Sequence, residues 1–127
     1  MRRLVFGAAL IAALAAPAAA VDVENGKAIF NKCRACHQIG EGAKNMVGPE
    51  LNGLFGRKAG SAPGFHYSEA NKSSGITWDE ATFREYIKNP KGKIPNTKMV
   101  FVGIKDDQDI DDLIAYLKQF GPDGKKK

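Results

Sequence analysis

Cysteine is scarce in this chain: Cys33 and Cys36 are the only two in 127 residues. With His37 and His66 they make up all the cysteine and histidine side chains. A structural zinc site takes four such ligands, and His37, directly after Cys36, is badly placed to share one ion with it. Strand patterning is missing as well. No segment alternates apolar and polar residues, so nothing supplies the βαβ unit in which a thioredoxin-like thiol pair sits. There is no arginine-rich helix, and the lysines are interspersed with aspartates and glutamates, which excludes a nucleic-acid-binding face. Internal repeats and low-complexity linkers are also absent, so a single domain is expected.

What is present begins with a distinct leader. Arg2 and Arg3 precede an apolar run from Leu4 to Ala16, followed by Pro17 and the triplet Ala18-Ala19-Ala20. This is the order of a secretory signal peptide, with cleavage expected after Ala20. A membrane-spanning helix needs roughly 20 apolar residues, more than this alanine-rich run offers before Pro17. Residues 1–20 are therefore predicted to be removed, leaving 21–127 as one exported, periplasmic domain. Without Arg2 and Arg3, 17 basic residues face 14 acidic ones, about +3, which suits a patch for an acidic partner.

Helical signals lie near both ends and in the middle. Val23 to Lys32 reads as a first helix with Asp22 as N-cap, and Gly26 inside it implies the close approach of another backbone. From Gly40 to Gly64 the chain is glycine-rich and without period, so it needs something to fold around. Ser68 to Ser74 reads as a short helix ended by Gly75. Thr77 and Glu80 form a capping box for a helix to Lys88, with Phe83 and Ile87 on its apolar face and Tyr86 toward the flank, stopped by Asn89-Pro90. Ile110, Leu113, Ile114 and Leu117 recur with helical period after a cluster of aspartates, and Gly121-Pro122 ends that helix. The last residues, "DGKKK", read as a solvated tail. The expected fold is all-α, with three to five short helices and long loops.

The stretch "CRACH" has the C-x-x-C-H spacing of c-type haem attachment. Cys33 and Cys36 are placed to form thioethers with one haem c, and His37 to bind its iron. The haem would also be the object that the glycine-rich loops wrap. An iron with a vacant axial position suits a peroxidase or gas sensor; one with both positions filled suits electron transfer. Met46 lies too close to His37 in sequence to reach the other face. Met99, in a segment stiffened by Pro90 and Pro95, is the favoured second ligand, with His66 and an open site as alternatives.

These features, with "VGPELNGLFGRKAG", "PGFHYSEANKSSGITW", "EYIKNPKGKIPNTKMVF" and "DLIAYLK", resemble class I cytochrome c in its short bacterial form, from Val23 to Phe120. The resemblance implies a soluble one-electron carrier, not an enzyme, with His37 and Met99 as axial ligands. It implies that the Pro49 carbonyl holds His37, that Arg57, Tyr67, Trp78, Asn71 and Thr97 serve the haem propionate, that Tyr86 reaches the Met99 sulfur, and that Phe101 closes the crevice. Gly26 and Phe30 would pack on Leu113 and Tyr116. Lys32, Lys91, Lys98 and Lys105 would ring the docking face of a monomer whose partners are membrane redox complexes: a cytochrome bc complex, a terminal oxidase or a photosynthetic reaction centre. A retained leader would instead make it a membrane-tethered module. Asn96 stands where relatives often carry glycine, and asparagine tolerates the left-handed backbone that position needs. Gly92 and Asp106 stand where mitochondrial relatives often carry lysine, which thins the ring.

Overall fold

The computed structural model describes residues 4, 5, 7–9 and 20–127, so most of the predicted leader lies outside the described residues. Five helices follow in order: α1 (Val23–Phe30), α2 (Glu69–Lys72), α3 (Glu80–Lys88), α4 (Pro90–Lys93) and α5 (Asp107–Lys118). The only strand-like pairings among the described residues are two isolated antiparallel bridges, Lys58 with Thr77 and Phe120 with Lys126. The fold is all-α, and among the described residues no helix is long and apolar enough to cross a membrane.

The crossing of α1 and α5 organises the core. Asp22 caps α1 by accepting the Asn25 N–H at 3.1 Å, and Asp106 caps α5 by accepting the Asp109 N–H at 2.9 Å. Each satisfies a backbone donor that a helix start leaves free. The predicted close approach is at Gly26. A Cβ there would run into the Asp112 carbonyl oxygen and lie 2.6 Å from its carbonyl carbon and 2.8 Å from the Tyr116 Cβ. Phe30, Ile110, Leu113 and Leu117 are almost wholly buried around this point. Each contributes about 1.5–3 kcal/mol of transfer free energy. Asp112, 2% exposed, ties the two helices together. Its carboxylate accepts the Asp22 N–H at 2.8 Å, the Asn25 amide at 2.8 Å and the Gln108 amide at 2.9 Å.

The middle of the chain differs from the sequence pattern in four places. α1 stops at Phe30 and passes into tight turns through Cys36 instead of running to Lys32. α3 is capped by Asp79, which accepts the Thr82 N–H at 2.7 Å, and not by Thr77. The reason is tertiary. Trp78 N–H bonds the Arg57 carbonyl at 2.9 Å and Ala59 N–H bonds the Ile76 carbonyl at 2.8 Å, which holds residues 76–78 extended so that no helix can begin there. Tyr86, expected on the flank, is buried. Asn89 ends α3 and also caps α4, a turn of helix with Pro90 at its first position.

The C-terminal segment is not a free tail. Gly121 N–H bonds the Lys125 carbonyl at 3.0 Å and Lys127 N–H bonds the Gln119 carbonyl at 2.8 Å. Gly124 is buried with φ +80°, packed so closely on the Gly40 carbonyl and Asn52 that no side chain fits. The lysines project outward while the backbone folds onto the loop that follows the CRACH motif.

Candidate haem site

The turns after α1 set the geometry of the motif. Cys33 N–H bonds the Phe30 carbonyl at 2.8 Å, and Cys36 and His37 N–H both bond the Cys33 carbonyl, at 3.1 and 2.9 Å. This tight winding turns both thiols and the imidazole toward one cavity of about 320 Å³. Its walls combine the apolar core face (Phe30, Leu54, Leu113, Leu117) with polar groups from the loops. Burial pushes the Cys33 thiol up to about 11, with the neighbouring Cys36 adding to the rise. Such a thiol is protonated at neutral pH and poor at disulfide exchange, which counts against a redox pair.

His37 is fixed from two sides. Its Nδ1 lies 2.7 Å from the Pro49 carbonyl oxygen, which can only accept, so Nδ1 carries the proton and Nε2 keeps a free lone pair. Burial, and to a lesser degree the Arg57 charge, lower the proton affinity of the ring against the effect of the Pro49 bond, so it stays neutral. Gly48 presses on the ring so closely that a Cβ would sit 2.7 Å from Nδ1 and 2.8 Å from Nε2. Gly48 is in turn held by its N–H on the Cys36 carbonyl at 2.7 Å.

Met99 reaches the same cavity from the segment after α4. Asn96 adopts φ +66°, the left-handed turn expected of it. Thr97 accepts the Met99 N–H at 3.2 Å, and Tyr86 donates its hydroxyl proton to the Met99 sulfur at 2.9 Å. Burial raises the Tyr86 phenol above its ordinary value, so it remains a donor. Phe101 lines the cavity, half-buried. Met46 does not take part: it is 49% exposed, with its sulfur receiving the Gln38 amide at 2.8 Å. His66 is exposed at the cavity edge.

The expected propionate group is brought together. Arg57, Tyr67, Asn71, Trp78 and Thr97 all line the cavity. The Tyr67 oxygen accepts the Ala62 N–H at 2.9 Å, which leaves its own proton to donate. Asn71 Oδ1 is buried without a partner. A buried orphan of this kind is rare and marks a missing polar neighbour. Arg57 is already engaged, as its guanidinium pairs with Glu50 at 3.0 Å. Of the four lysines expected at the docking face, Lys32 and Lys98 lie at the cavity, as does Lys58, whereas Lys91 and Lys105 do not line it. Lys91 stands beside the exposed Val100 and Val102, and Lys105 donates to the Lys88 carbonyl at the end of α3. Gly48, Glu50 and Asn52 were not singled out from the sequence. The signal for Gly48 was there, next to Pro49 in "VGPEL".

A cavity walled by apolar side chains, two thiols at its rim, a neutral imidazole and a thioether with donors at its polar end fits a haem. Residues 23–121 match the Cytochrome c family. The chain is 62% identical over 127 residues to cytochrome c2 of Blastochloris viridis, covering 100% of both. It is 66% identical over 106 residues to cytochrome c-550 of Nitrobacter winogradskyi, covering 84% of this chain and 97% of that one. Cytochrome c2 from Rhodospirillum centenum superposes with a TM-score of 0.74 at 40% identity, covering 80% of this chain and 99% of that one. The chain belongs to the cytochrome c family, in its class I, bacterial c2-type branch. It carries one covalently attached haem c and is an electron carrier, not an enzyme.

Proposed function

We propose that residues 21–127, released from a leader cleaved after Ala20, form a periplasmic carrier in which His37 and Met99 would hold the haem iron, and that it shuttles single electrons between membrane redox complexes. The observation that carries this reading is the convergence of both side chains on one cavity, each held by a separate hydrogen bond: His37 by the Pro49 carbonyl and Met99 by the Tyr86 hydroxyl. When bound, haem iron supplies a one-electron couple between Fe(III) and Fe(II). The chain does the rest. Pro49 and Gly48 hold the imidazole in one tautomer and orientation, while Tyr86 holds the Met99 thioether and Thr97 its backbone N–H, so neither ligand has to move when charge changes. The apolar wall keeps water out and disfavours the extra charge of Fe(III), which raises the potential. Tyr67, Asn71, Trp78 and Thr97 supply polar partners for a buried propionate.

Lys32 and Lys98 give the cavity mouth a positive rim, with Lys91 next to it beside the exposed Val100 and Lys105 tied back at the end of α3. A rim of this kind favours fast, weak encounters with an acidic face such as that of a cytochrome bc complex, an oxidase or a photosynthetic reaction centre. The test is stopped-flow electron transfer to isolated membranes containing such complexes, as a function of salt. The rate is expected to fall as ionic strength rises, and Lys91→Glu to lower the low-salt rate by at least about threefold. A rate indifferent to both would refute the docking face.

A further inference from the structure

We propose that Glu50 is a positioning residue that neutralises and aims Arg57 at the cavity wall and thereby sets the reduction potential; the inference rests on the haem reading above. Arg57 is the arginine on that wall, and its guanidinium is bracketed by one short segment. One of its nitrogens donates to the Glu50 carboxylate at 3.0 Å and to the Asn52 carbonyl at 3.1 Å. The other donates to the Glu50 carbonyl at 2.7 Å. The second Glu50 carboxylate oxygen accepts the Asn52 N–H at 2.7 Å, so the anion is pinned on both sides. Asn52 is itself buried and locked to Gly40, accepting its N–H at 2.8 Å and donating to its carbonyl at 2.9 Å.

The pair is mostly removed from water, Arg57 at 16% and Glu50 at 21% side-chain exposure. Opposite charges held this close cancel at a distance, while either one alone, in a region of reduced dielectric, would be felt across the cavity. A lone cation there favours the reduced iron, and a lone anion the oxidised iron. Glu50 thus decides whether Arg57 presents a full charge or a neutralised pair.

The test is spectroelectrochemistry of the holoprotein, in which each ferric haem takes one electron from the electrode and becomes ferrous. Glu50→Gln is expected to raise the midpoint potential and Arg57→Gln to lower it, each changing the ferrous-to-ferric ratio at fixed electrode potential by at least about threefold. The double variant Glu50→Gln/Arg57→Gln is expected back near wild type. A purely structural bracket predicts something different: both single variants loosen the wall, admit water and move the potential the same way. Movement of both in one direction, or no shift in Glu50→Gln, overturns the proposal. Glu50→Asp keeps the charge and loses the fit. It is expected at the wild-type potential, and a shift as large as that of Glu50→Gln would count against the charge argument. The near-infrared band of sulfur ligation, read on the same samples, reports separately on the haem reading.

Discussion

Gly26→Ala should destabilise the protein, although alanine is the better helix former by about 1 kcal/mol. The added Cβ would lie 2.6 Å from the Asp112 carbonyl carbon and 2.8 Å from the Tyr116 Cβ, where ordinary contact begins at 3.4 Å. The obstacle is the backbone of α5, which cannot rotate aside as a side chain could. α1 and α5 must therefore part by roughly 1 Å, a gap that forfeits a quarter to a half of each affected dispersion contact. Phe30, Leu113 and Tyr116 lie at that interface, and Asp112 loses its fit to Asp22 and Asn25. Overpacking of this kind costs about 1–3 kcal/mol, and an immovable obstacle puts it at the upper end. Less the helix gain, a net loss of about 2 kcal/mol remains, on the order of 8–12 °C in Tm for a domain of this size. The assay is thermal unfolding of the holoprotein by far-ultraviolet circular dichroism, beside Ala28→Gly. Ala28 is exposed on the same helix, and glycine there should cost about 1 kcal/mol by propensity alone. If Gly26→Ala holds or raises Tm while Ala28→Gly lowers it, the close crossing is wrong.

Asp112 accepts the Asp22 N–H and the Asn25 and Gln108 amides, and these bonds hold its carboxyl below the usual range. A depressed folded value means that its stabilisation is full above the unfolded carboxylate range near 4 and is lost as pH falls through the folded value. The stability gap between wild type and Asp112→Asn, from denaturant unfolding, should therefore narrow as pH drops below about 4; a gap constant from neutral to strongly acid pH would contradict this. Deleting residues 123–127 removes the Lys125 and Lys127 backbone bonds and the Gly124 contact with Gly40. At about 1 kcal/mol per bond, the truncated protein should lose about 2 kcal/mol, whereas a solvated tail would leave the denaturation midpoint unchanged.

The parts of this molecule that could be read from its residues are those determined locally. The C-x-x-C-H spacing, the period of Ile110, Leu113, Ile114 and Leu117, and the odd glycine at position 26 each carry their meaning within one turn of helix or one motif. What stayed hidden depends on contacts between distant segments. Thr77 and Glu80 have the spacing of a capping box, but pairing of residues 76–78 with 57–59 moves the cap to Asp79. Tyr86 reads as a flank residue on a helical wheel. It is buried because α3 faces both the core and the cavity wall, and a wheel drawn for one helix has no second surface. The tail reads as solvated from its three lysines, yet Gly124, which carries no side-chain signal at all, docks it on Gly40. Glu50 was hidden for a related reason: its value lies in a pairing with Arg57 that only the turn through Asn52 creates.

The central claim is that His37 and Met99 both bind the iron, and the optical spectrum of the holoprotein tests it most directly. The ferric form should show the weak near-infrared band of sulfur ligation, and the ferrous form should not bind carbon monoxide. Met99→Ala should lose the band and open the ferrous iron to carbon monoxide. A wild-type protein without the band, or one that binds carbon monoxide readily, would contradict the account.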